Sequence, residues 1–146
     1  MANSALLKRC QGPRALPLAL LISRGDQAAQ IVCLKFGDHL QEALSGLQDA
    51  VVTYLAQEAS DTAKAKLLTI VRDLRSSSAT AGQEWVSIFA ASLETSLEAG
   101  DIAGQNLSVL IGLHMDALHV AAKRITPEEE LVQLQQSLLR VQMALR

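Results

Sequence analysis

The chain has 146 residues, enough to bury about two-thirds of its unfolded surface in one domain without disulfide or metal staples. Charged residues make up only 19% and aromatics 3%, against 49% apolar, which favours helices, because strands lean on aromatic and β-branched side chains. A net charge of −2 gives no global field for nucleic acid or an acidic substrate, and no apolar run approaches the ~20 residues that span a bilayer. Mean hydropathy of +0.20 is high for a soluble monomer, so a partner is expected to cover some apolar surface.

Residues 1–25 form a basic, acid-free start carrying Lys8, Arg9, Arg14 and Arg24, like an organelle transit peptide in composition. Ala15–Ile22 resembles a short signal-peptide core, but Pro17 interrupts it and no small-x-small site follows. Cys10 and Cys33 fit neither a disulfide scaffold nor a zinc site, so the expected setting is the reducing cytoplasm, with an organelle matrix as the alternative. Gly12-Pro13 breaks the chain and Arg24-Gly25-Asp26 reads as a turn opening a helix rather than an adhesion motif. That helix would carry Ala28, Ala29, Val32 and Phe36. The alternative is a small hairpin of Leu18–Ser23 with Ile31–Phe36, which is marginal alone.

From residue 38 onward the apolar spacing predicts five helices. Asp38 with Gln41 caps one bearing Leu40, Leu44, Leu47, Val51 and Tyr54 or Leu55. Ser60 or Asp61 opens the next, with Ala63, Leu67, Ile70, Val71 and Leu74, and Ser76-Ser77-Ser78 is expected to break it. Thr80-Ala81-Gly82-Gln83 reads as a capping box for a helix carrying Trp85, Val86, Phe89, Leu93 and Leu97, ended by Gly100. Asp101 would cap a helix running to about Lys123, whose Leu107, Leu110, Ile111, Leu118, Ala121 and Ala122, with Val109 and Leu113, nearly encircle it. An apolar girdle of that kind suggests a central position, and Gly104 and Gly112 suggest close approach of a neighbouring backbone.

The last helix has the fullest signals. Thr126 is the expected cap, Pro127 the first helical residue, and Glu128, Glu129 and Glu130 suit the positive end of the helix dipole. Leu131, Leu134, Leu138, Val141 and Leu145 then recur at intervals of three and four, widened by Val132 and Leu139. Gln133, Gln135, Gln136 and Gln142 dominate the polar side. These readings amount to an all-α fold: one compact bundle of five to six helices over residues 1–146.

Catalytic and metal motifs are not found. None of the three histidines follows a glutamate by three residues, and His114 and His119 lie roughly 140° apart around their helix. No phosphate-loop glycine pattern occurs. A Ser/His/Asp triad can assemble in space, but no serine sits in Gly-x-Ser-x-Gly, and His114 reads as a core-edge residue bonded to a neighbour. Lys64, Lys66, Arg72 and Arg75, with Lys35 upstream, read as a solvated face rather than a nucleic-acid stripe. The expected role is a non-catalytic interaction subunit or adaptor without cofactor, metal or nucleic acid. It would bind a protein partner or itself through apolar helix faces, with Leu131, Leu134, Leu138, Val141 and Leu145 as the candidate surface. The alternatives are a bundle holding an apolar small molecule near Gly104, Gly112 and Ala117, and, third, an enzyme.

Overall fold

The computed structural model describes residues 39–57 and 60–146, so the expectations for the first 37 residues, and for Asp38 as a cap, lie outside the described residues. Within them the chain forms five helices and no strand. Residues 39–56 form α1, Asp61–Thr80 α2, Glu84–Ala99 α3, Gly104–Ala122 α4 and Glu128–Leu145 α5. All five contribute to one apolar cluster.

In α1, Leu40, Leu44, Leu47, Val51 and Tyr54 share one buried face, as their spacing requires. Burial, helped by the nearby Asp61 carboxylate, raises the Tyr54 hydroxyl above its usual pKa. Ser60 is the cap of α2, its hydroxyl accepting the Ala63 N–H at 3.3 Å.

The serine run does not break α2. Ser77 donates to the Asp73 carbonyl at 2.7 Å, Ser78 to that of Leu74, and Thr80 to that of Ser76 at 3.0 Å. Hydroxyls bonded back by four residues are compatible with the helix, and Ser78 is buried on the same face as Leu67, Val71 and Leu74. Thr80-Ala81-Gly82-Gln83 is likewise not a capping box. It is a Schellman C-terminus: the Gln83 N–H reaches the Ser78 carbonyl at 2.8 Å and the Gly82 N–H that of Ala79 at 3.2 Å. Gly82 has φ +80°, a left-handed conformation in which a side chain is strained. Gly100, at φ +64°, ends α3 as the sequence predicts.

Two further caps differ from expectation. Asp101 does not cap α4; Ala103 occupies that position, and the Asp101 carboxylate instead meets Arg146 Nε at 2.8 Å. In α5 the cap is Pro127, whose extended backbone (ψ 145°) leaves its carbonyl to accept from Glu130 and Leu131 at 3.1 and 3.2 Å. Thr126 therefore stands one residue outside the cap.

Among α2 to α5, α3 packs against all three of the others and buries Val86, Phe89, Ala90, Leu93 and Leu97, while α4 packs against α3 and α5 and leaves Val109 exposed. Among the described residues, a methyl group built on Gly104 or Gly112 meets nothing within 4 Å, so none of their backbone comes close to either glycine. Gly104 is instead required by its φ of +62° at the entry to α4.

Candidate protein-interaction face

The outer helix α5 presents two different apolar lines. Leu131 and Leu138 enter the core, Leu134 and Leu145 are half-buried against it, and Val141 is also half-buried. The five candidate residues thus share one side of α5, and four of them seat it on the bundle. About 140° away around the axis runs a second line, in which Val132 is 37% exposed, Leu139 50% and Met143 74%. With Gln136 these lie within about 60° of one another and extend for about 16 Å. By spacing alone Val132 and Leu139 widen the inner stripe, to which Met143 does not belong. The interval of seven between 132 and 139, then four to 143, is the signal that separates them.

Behind α5 a buried polar seam joins three helices. Gln142, assigned from sequence to the polar side, is buried, and its amide donates to Ser96 Oγ on α3. Ser96 in turn donates to the Ser92 carbonyl at 2.8 Å. Ser92 Oγ lies 3.0 Å from His114 Nε2 on α4, and His114 Nδ1 lies 2.8 Å from the Leu110 carbonyl. A carbonyl can only accept, so Nδ1 carries the proton and Nε2 accepts from the serine. His114 is 0% exposed, inside the core rather than at its edge, as no single-helix pattern could have shown.

Burial lowers the His114 pKa below its ordinary value, partly offset by the Leu110 hydrogen bond. In the unfolded chain the ring takes up a proton below about pH 6.5, while the folded chain resists it, so this residue makes no pH-dependent contribution above that range. As pH falls from about 6.5 to 5.5, stability is expected to drop through His114. Urea melts across that interval, compared with those of His114→Gln, check this; an equal pH slope in the variant removes His114 as its source.

The basic residues of α2 are engaged elsewhere. Glu94 of α3 is buried, and Arg72 Nε donates to its Oε1 at 2.9 Å while Arg75 donates to Oε2. Arg72 also bonds Glu98, and the two carboxylates raise its pKa, Glu94 most. Two of the four α2 basic residues expected to form a solvated face, Arg72 and Arg75, are therefore a clamp between α2 and α3. Its signal was present as Arg72/Arg75 and Glu94/Glu98, two like-charged pairs at helical spacing on consecutive helices.

The other two histidines lie at the surface. His39 is exposed with Glu42 at 3.7 Å, and His119 is exposed on α4. Among the described residues no three potential ligands gather for a metal, and no helix is long and apolar enough to cross a membrane. An open cleft of about 280 Å³ lies where the end of α4 meets the starts of α3 and α5, lined by Gln83, Glu84, Trp85, Arg124 and Glu128 among others. Its walls are mainly polar, and Gly104, Gly112 and Ala117 do not contribute to them. Compared with known proteins, the chain matches no family model, no curated protein and no solved structure.

Proposed function

We propose that this chain is a non-catalytic helical interaction subunit that binds a protein through the outer face of α5. The observation that carries the reading is the exposed line of Val132, Leu139 and Met143 beside uncharged Gln136. Scattered surface apolar residues are ordinary, but three on one line of one helix form a strip onto which another helix can pack. Glutamine at the centre of that strip is desolvated at less expense than a lysine or glutamate would be. The leucine side of α5 supports this role by fixing the helix to the core, so its outer line is presented on a rigid element.

The Ser92–His114 contact has two parts of a nucleophile–base pair, yet its setting favours a structural role. Ser92 stands in the middle of α3, where peptide N–H groups are committed to the helix and cannot hold an oxyanion. The imidazole itself is closed to solvent. A reducing compartment, the cytoplasm, is the proposed setting.

Leu139→Glu/Met143→Glu tests the reading. The variant is expected to keep its circular dichroism and urea midpoint while losing proteins that co-purify with the parent chain from its native cell. An unchanged set of co-purifying proteins sinks the proposal.

A further inference from the structure

We infer that the partner of the α5 outer face is a second copy of this chain, paired antiparallel about a twofold axis near Gln136. This rests on reading that face as the interaction surface and adds the identity of its occupant. The charge pattern along the helix carries it. Glu129 and Arg140, both exposed, flank the same side of the Val132–Leu139–Met143 line, eleven residues apart. In an antiparallel pair, positions on the same flank of the two helices meet each other. Setting Val132 against Leu139 of the second copy brings Glu129 within reach of the second copy's Arg140, and the twofold repeats both contacts. Neither side chain has an ionic partner among the described residues, whereas Arg146 is held by Asp101 and is not needed.

The opposite arrangement is disfavoured by the same residues. A parallel pair gathers Glu128, Glu129 and Glu130 of both copies at one end, with the two helix dipoles aligned. The antiparallel pair places each acidic start near Arg140 of the other copy. The central position falls to Gln136, whose amide can both donate and accept across a twofold axis.

The full-length chain is expected to sediment as a monomer–dimer equilibrium with a dissociation constant of about 1–100 µM. Leu139→Glu/Met143→Glu should weaken it by about 100-fold or more, and Arg140→Glu by about 10-fold, with Glu129→Arg/Arg140→Glu recovering most of that loss. Orientation is read by oxidation in a Cys10→Ser/Cys33→Ser background. Gln136→Cys lies beside its own copy at the axis and should cross-link, whereas Met143→Cys, about 20 Å from its counterpart, should not.

A monomer throughout the concentration range overturns the inference. So does a dimer indifferent to the stripe substitutions, or one in which Met143→Cys cross-links as readily as Gln136→Cys. If the chain is monomeric but its capture of other proteins still depends on Leu139 and Met143, self-pairing fails while the interaction role stands.

Discussion

Leu138→Glu is expected to unfold the chain, whereas Leu139→Glu, one residue further on, leaves it folded. Leu138 is 4% exposed and belongs to the apolar cluster. Truncating a core leucine costs about 2–5 kcal/mol through lost transfer energy and the cavity left behind. A carboxylate there must also be desolvated without a partner, which brings the loss to about 5 kcal/mol or more. Domains of this kind are stable by about 5–15 kcal/mol, so the folded population falls by orders of magnitude. The side chain of Leu139 is half in water, and its replacement is expected to shift stability by about 0.5 kcal/mol or less. Far-ultraviolet circular dichroism with urea titration of both variants decides the matter. Comparable midpoints for the two would mean that α5 is not seated as described.

Glu94→Ala has the second largest expected effect. This carboxylate is buried between α2 and α3 and takes charge-assisted hydrogen bonds on both oxygens, from Arg72 and Arg75. Such bonds are worth more than neutral ones, and their loss is expected to cost about 2–3 kcal/mol. The guanidinium groups left behind are half-exposed and regain water, which keeps the cost from rising further. Glu94→Gln keeps the shape but turns a donor toward one arginine, so it should also destabilise. Added salt should screen this clamp less than the exposed Arg146–Asp101 pair. A change below about 0.5 kcal/mol in urea melts of Glu94→Ala would falsify the clamp as a source of stability.

The two substitutions on α5 show how finely one helix divides its labour. Leu138 and Leu139 are chemically identical neighbours about 100° apart around the axis. One is part of the core and the other faces water. The apolar stripe of the last helix was legible as a whole, but its width concealed two lines with different roles. Which of them pointed outward followed from where α3 and α4 lie beneath α5.

Cap signals divided in a similar way. Ser60 and Gly100 act within their own turns and were legible for that reason. Asp101 looked like a cap because it follows Gly100, yet Arg146 at the far end of α5 captures its carboxylate. Thr80 through Gln83 fits a start motif and a stop motif equally well on paper; the hydrogen bonds to Ser78 and Ala79 make it a stop.

What the amino-acid order determined alone was the all-helical class, the approximate extent of each helix from residue 39 onward apart from the end of α2, and the apolar stripe of each, though not which line of the α5 stripe faces the core. Those properties depend on contacts three or four residues apart, where spacing and geometry are the same thing. Tertiary structure decided where the polar groups spend their hydrogen bonds. Glu94 meets Arg72 and Arg75 across 22 and 19 residues, His114 meets Ser92 across 22, and Gln142 meets Ser96 across 46. No period in the sequence encodes those distances. They are set when helices pack and the buried donors and acceptors must find one another or lose solvation without compensation.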